Sequence, residues 1–241
     1  MNLDVLSFNI RHGLGTDGVL DLDRTARVIR SSGADVIGLQ EVDRHFGERS
    51  DWGDQATALA ELLGYHLAFG ANIDLDPPAP GRPRIQYGTA VLSRHPIVRW
   101  DNTHLFRSPD EEQRGLLHAE IDVYGVAVHV YTAHLELFSE TDRVQQAEQV
   151  VELIGATGPA VLLGDFNATP RTAEIATVRA SFTDAWTAFG SARAGSPGCG
   201  SAPAGGCPGR PASARSSSAA PGTCRCSPGW WSGRRTARGS G

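Results

Sequence analysis

Val161-Leu162-Leu163-Gly164-Asp165-Phe166-Asn167-Ala168-Thr169-Pro170 is a run of buried-type residues that ends in an aspartate and an asparagine two positions apart, then passes at once into a turn. A short apolar run of this kind reads as a buried strand. Its polar end puts functional side chains where a rigid sheet holds them and loops leave access. Positions two apart on an extended backbone point the same way, so Asp165 and Asn167 would present a carboxylate and an amide oxygen to a common point. Oxygen donors of that kind suit a hard cation such as Mg2+ or Mn2+. Taken alone, the same aspartate reads more readily as a helix N-cap or an Asx-turn.

Outward from this stretch, alternating or continuous apolar runs at 3–8, 35–39, 89–92, 116–123, 126–133 and 160–163 predict further strands. Helices are expected between some of them. One starts at Asp21, with Leu22, Ala26 and Ile29 at helical spacing and Gly33 as its stop; another covers 55–63 before Gly64; a third covers about 141–154 before Gly155. The loop from Asp74 to Arg84, with four prolines, reads as a surface excursion. Strands interleaved with helices, together with an antiparallel hairpin through Val126, indicate an α/β sandwich with mixed sheets.

At 241 residues and 40% hydrophobic, the chain can bury a substantial core. Residues 1–190 hold all 27 acidic residues and 15 of the 22 arginines, a formal −12, while residues 191–241 hold the other seven arginines and no acid. An acidic body argues against tight binding of long polyanions, whose phosphates favour a positive face. No apolar run reaches the roughly 18 residues of a membrane span, and the N-terminus lacks the basic flank and apolar core of a signal peptide. The expectation is a cytoplasmic monomer with no membrane span.

The sequence divides into a domain at 1–190 and a tail at 191–241. The tail is mostly Ser, Ala, Gly, Pro and Arg, a composition that cannot bury enough apolar surface to offset its ordering entropy, and is expected to be disordered. Its Cys199, Cys207, Cys224 and Cys226 lack the paired Cys-x-x-Cys spacing of a zinc site.

Four polar clusters follow strand-like runs: Asn9 with Arg11 and His12; Gln40 and Glu41; Thr132 and His134; Asp165 and Asn167. Together with Tyr87-Gly88-Thr89-Ala90-Val91-Leu92-Ser93-Arg94, the order Phe8-Asn9-Ile10, Gly38-Leu39-Gln40-Glu41-Val42, Thr132-Ala133-His134-Leu135 and Gly164-Asp165-Phe166-Asn167 resembles the endonuclease/exonuclease/phosphatase superfamily with the deoxyribonuclease-I-like fold. The resemblance implies a four-layer α/β sandwich of two mixed sheets flanked by helices, here with the C-terminal strands missing or disordered. It implies a phosphoester hydrolase dependent on Mg2+ or Mn2+. Glu41 would be the principal metal ligand, with Asn9 beside it. His134 would contact the scissile phosphate, Asp165 would position or deprotonate the attacking water, and Asn167 would orient the phosphate. Tyr87, and Arg114 with it, would line the same site. The substrate would be nucleic acid, a phospholipid head group or a small phosphodiester.

The chemistry fits these residue types. Phosphoester hydrolysis needs an in-line water, a base for it and positive charge on the phosphoryl oxygens. Neutral amides and an imidazole touch a phosphate without repelling it.

Two elements of the family pattern are absent. No histidine follows His134 and no acid follows Asp184, so the family's late aspartate and its Ser-Asp-His turn are missing. One expectation for the tail is a shifted reading frame: read from the third base of each codon, Trp230-Trp231-Ser232 forces one valine and permits a second, as in a buried strand. The expectation is a phosphoesterase impaired by the loss of that catalytic pair; the alternatives are a remnant that binds metal or phosphate without turnover, and a truncated product that does not fold stably.

Overall fold

A computed structural model describes residues 2–189 and 229–233. The strands are β1 (Val5–Asn9), β2 (Val36–Arg44), β3 (His66–Leu75), β4 (Ile85–Ser93), β5 (Ile97–His104), β6 (Gly115–Val123), β7 (Val126–His134), β8 (Ala160–Asp165), β9 (Thr183–Asp184) and β10 (Gly229–Gly233). The helices are α1 (Leu22–Ser32), α2 (Gln55–Leu63), α3 (Glu140–Ile154), α4 (Ala173–Ser181) and α5 (Ala185–Phe189).

Local chemistry sets the helix ends. The Asp21 and Asp54 carboxylates accept from the backbone N–H of Arg24 and Thr57, and the Ser139 hydroxyl accepts from that of Asp142, capping α1, α2 and α3. α1 and α2 stop at Gly33 and Gly64, whose φ values of 73° and 70° suit a residue without a Cβ. Tyr124 and Gly125, both at positive φ, close the two-residue turn between β6 and β7.

The strands form two mixed sheets, ordered β1-β2-β4-β3 and β5-β6-β7-β8-β10-β9. In the first, β1 and β2 run parallel; in the second, β7 and β8 do. Three apolar clusters separate four layers. Ile29, Leu59, Ile37, Leu39 and Leu92 join α1 and α2 to the first sheet. Val36, Val91, Leu117, Ile121, Val130 and Leu163 fill the space between the sheets. Leu116, Leu162, Val150, Ile154, Ile175 and Val178 join the second sheet to α3 and α4. The expected four-layer α/β sandwich is the observed one. None of the described helices is long and apolar enough to cross a membrane.

Several elements differ from the sequence expectation. β3 carries Gly70 in its middle, which weakens its strand signal. β5 is an edge strand with a largely exposed, polar sequence, so it shows no apolar alternation. α4 buries only Glu174, Ile175 and Val178, too few for a helical stripe. Within the tail, residues 229–233 run antiparallel to both β8 and β9, with Trp231 opposite Leu162 and Asp184. This strand supplies main-chain partners to the free side of β8, which an unpaired edge would lack. It coincides with the Trp-Trp-Ser stretch whose shifted reading gives valine. The rest of the tail, its four cysteines included, lies outside the described residues, and with it the expectation of disorder.

Candidate active site

The C-terminal ends of β1, β2, β7 and β8 meet the N-terminal end of β6 at one edge of the sandwich. The register β1–β2 sets Asn9 beside Gln40, and the register β7–β8 sets His134 beside Asp165. The two parallel pairs belong to different sheets, so the site spans the interface between them.

Glu41 owes its orientation to a bulge. The β2–β4 register shifts between Leu39 and Val42, and Glu41 takes a left-handed φ of 57°. Just past the bulge, the backbone N–H of Asp43 donates to Gln55 Oε1, and Gln55 Nε2 donates to the carbonyl of His12. Gln40 meanwhile turns inward. It is 1% exposed and donates to Thr132 Oγ1 at 2.8 Å and Ser7 Oγ at 3.3 Å. Of the Gln-Glu-Val motif, then, the glutamine fastens the two sheets together and the glutamate reaches the site.

Asn9 joins the two carboxylates. Its Nδ2 donates to Glu41 Oε1 at 2.7 Å and to Asp165 Oδ2 at 3.1 Å, while its Oδ1 accepts from the Arg11 N–H. Asp165 and Asn167 come together differently from the strand alternation expected. β8 ends at Asp165, Asn167 has φ 48°, and the Asn167 N–H donates to Asp165 Oδ1 at 3.0 Å. That is an Asx-turn, and it leaves Oδ2 pointing at Asn9. The turn aims the Asn167 amide at His134 Nε2 (3.1 Å) and the Leu135 carbonyl (2.9 Å).

His134 is buried, and burial together with the Arg114 guanidinium 3.5 Å from Nδ1 pushes its imidazole below the usual histidine range. It is therefore neutral at physiological pH. Both flanking groups are donors, and the shorter contact, from Asn167, assigns Nε2 as the accepting nitrogen. Arg114 is itself held between Glu136 (3.3 Å) and Glu112 (2.7 Å). The Glu112 oxygen lies in ion-pair contact but outside hydrogen-bonding geometry. Burial raises the Glu112 carboxyl above its usual range, with the Glu136 and Glu41 carboxylates adding to the rise and Arg114 opposing it.

Tyr87 enters from β4. Its ring lies 5.7 Å from Phe46 and 5.4 Å from the Arg49 guanidinium, which forms a two-pronged pair with the fully buried Asp43 at 2.7 and 2.8 Å. Burial, with the Glu112 and Glu41 carboxylates nearby, pushes its phenol well up, so Tyr87 stays protonated. The structure thus brings Asn9, Glu41, His134, Asp165 and Asn167 into one hydrogen-bonded and strand-paired group, with Tyr87 alongside through Arg49. Sequence reading missed Gln55, Glu112 and Glu136. Glu136 follows His134 by two residues and was the one with a visible signal.

Five carboxylates, of Glu41, Asp43, Glu112, Glu136 and Asp165, stand against the two guanidiniums of Arg49 and Arg114. Such an excess suits a divalent cation. Among the described residues no three His, Cys, Asp or Glu side chains converge as a closed metal cage. Glu41, with the Asn9 amide beside it, is the residue that could hold a hydrated hard cation such as Mg2+. Asn9 would join it by turning its amide oxygen inward.

The Endonuclease/Exonuclease/phosphatase family model matches residues 6–240. YbhP of Escherichia coli K12 is 31% identical over an alignment of 176 residues that covers 68% of this chain and 66% of YbhP. Protein cwh43 of Schizosaccharomyces pombe is 30% identical over 162 residues, 65% of this chain and 15% of cwh43. The crystal structure of an endonuclease/exonuclease/phosphatase from Beutenbergia cavernae superposes with a TM-score of 0.65 at 32% identity, over 76% of this chain and 55% of that one. The chain thus spans two thirds or less of each of these relatives. Because the family match runs through nearly the whole sequence, and the strand ends that carry its polar motifs meet at one edge of a four-layer sandwich, this chain belongs to the endonuclease/exonuclease/phosphatase family, whose members include phosphoesterases, nucleases and phosphatases.

Proposed function

We propose that the chain is a phosphoester hydrolase dependent on Mg2+ or Mn2+, acting on a phosphodiester or phosphomonoester. The observation that carries this reading is the single Asn9 amide linking Glu41 and Asp165, with Asn167 and His134 one contact further on. Glu41 would hold the cation, assisted by Asn9. When bound, the cation would supply positive charge to the phosphoryl oxygens. Asp165 accepts a proton from, or orients, a water beside the phosphate. Asn167 and neutral His134 meet the phosphate without repulsion, and Arg114 adds a fixed positive charge behind them.

The chain has no histidine beyond His134 and no acid beyond Asp184. That observation favours reduced turnover, and in the limit a second reading: a protein that binds metal and phosphate without hydrolysing them. Hydrolysis of bis(4-nitrophenyl) phosphate with Mg2+ or Mn2+, with Glu41→Gln as control, tests both. Metal-dependent release of nitrophenol lost in Glu41→Gln supports the enzyme. Thermal stabilisation by metal without release supports the binder. Rapid proteolysis of the domain at 1–190 would instead mark an unstable product.

A further inference from the structure

A groove of about 270 Å3 is lined by His45, Trp52, Pro78, Arg82 and Pro83, on the two loops that also carry Arg49 and lead into Tyr87. One wall is the loop after β2, and the other is the loop between β3 and β4. Tyr87 lies two residues, about 7 Å, into β4 from that second loop.

The first wall is held in a costly conformation. Among the described residues, the non-glycine positions with left-handed φ are Arg11, His12, Glu41 and Asn167 in or next to the candidate site, Tyr124 in a hairpin, and His45, Asp51 and Trp52 in this loop. Such positions persist only where surrounding structure fixes them, and they gather at functional sites. Here the fixing bonds are visible. His45 N donates to the Gly53 carbonyl, Trp52 N to that of Gly47, His45 Nδ1 lies 2.8 Å from the Trp52 carbonyl, and Arg44 clasps Asp54 beneath them. The result leaves the Trp52 side chain 44% exposed on a rigid support. Opposite it, Arg84 takes up Asp74 and Asp76, which leaves Arg82 without an ion pair among the described residues. The same loop sends Arg49 inward onto Tyr87, so groove and site share one support.

We propose that this groove is a subsite for the organic part of the substrate: a single flat or cyclic ring that stacks on Trp52, with polar or anionic atoms facing Arg82 and His45. A nucleobase and a sugar ring share this chemistry. The proposal rests on the phosphoesterase reading for its placement, and binding can be measured without turnover.

Saturation-transfer NMR and calorimetry with adenosine 5′-monophosphate, glucose 6-phosphate and the ringless glycerol 3-phosphate, on the full chain, test it. The expected result is that one ring-bearing phosphate binds the wild type, that Trp52→Ala and Arg82→Ala each weaken it about tenfold, and that Trp52→Phe restores most of the loss. Glycerol 3-phosphate should bind all four proteins alike. Which ring phosphate binds better identifies the source of the ring. Equal binding of ring phosphates by wild type, Trp52→Ala and Arg82→Ala would overturn the subsite. Arg82→Ala, on an exposed loop, decides the matter if Trp52→Ala fails to fold. Trp52-dependent binding with no hydrolysis of any ester would sink the enzyme reading and leave the subsite standing.

Discussion

Asn9 and Asp165 lie 156 residues apart on strands of different sheets, yet a 3.1 Å hydrogen bond from the amide of one to the carboxylate of the other closes the candidate site. The same nitrogen reaches Glu41 at 2.7 Å. One small amide therefore fixes the spacing of the two carboxylates that the proposed chemistry needs, one for a cation and one for a water.

Asp165→Asn keeps the size and the turn but removes the basic oxygen. A proton acceptor of this kind contributes about 10²–10⁴ in rate, so metal-dependent turnover should fall about a hundredfold or more, while loss of the Asn9 bond, whose donor would then face an NH2 group, should cost about 1 kcal/mol of stability. Steady-state kinetics beside a thermal melt make the check. Unchanged kcat would rule out Asp165 as the base.

Gly164 precedes Asp165 because the neighbouring strand leaves no room for a side chain. A Cβ there would come 2.5 Å from the Ala133 carbonyl oxygen, closer than such contacts occur. Gly164→Ala should push β8 away from β7 at the point where Asp165 and His134 pair. Loss of most activity together with lowered stability is expected, and a variant as stable and active as the wild type would show that the strands can yield.

Gln40 sits between the sheets with its amide donating to Thr132 and Ser7. Gln40→Ala leaves a cavity and buried hydroxyls without their donor, and should cost about 2–3 kcal/mol of folding stability. Urea denaturation measures it. A cost below about 0.5 kcal/mol would mean that the inter-sheet bond adds nothing to packing.

Strands with a continuous apolar run, such as β8, and helices with an aspartate before and a glycine after, such as α1 and α2, were legible because local chemistry alone specifies them. The site motifs were legible as an ordered set of polar residues at strand ends. What the sequence hid was set by tertiary context. β5 is polar because it is an edge, and the Glu41 bulge depends on Gln55 arriving from α2 to meet the Asp43 N–H. Of the two readings the stretch offered for Asp165 and Asn167, strand alternation and an Asx-turn, it is the Asx-turn that joins them. Glu112 has no motif around it and gained its place only through Arg114.

Glu112 adds a carboxylate to a cleft already rich in them, and burial raises its pKa. A carboxyl whose folded pKa is raised stabilises the fold below its unfolded pKa, 4.5, and loses that contribution as pH rises through the folded value. At neutral pH the ionised group is therefore a burden on the metal-free protein. Glu112→Gln should raise the melting temperature at pH 7.5 and shrink the further gain produced by Mg2+ or Mn2+. A variant less stable than the wild type at that pH would show that the Arg114 contact outweighs the crowding.

His134 gives the opposite pH dependence. Its folded pKa is lowered from 6.5 by burial and then by Arg114, so the unfolded chain takes up the proton first as the medium is acidified. Stability is then unaffected well above pH 6.5 and falls as pH drops below it, toward the folded pKa. His12 and His129 are shifted in the same direction, His12 by burial and Arg49, His129 by burial and His118, and add to the slope. Urea midpoints at pH 7.5, 6.5 and 5.5 should therefore decline for the wild type and decline less for His134→Asn, which carries no titrating ring. Parallel curves for the two proteins would mean that the imidazole charges freely in the folded state, and the neutral, phosphate-facing role would go with it.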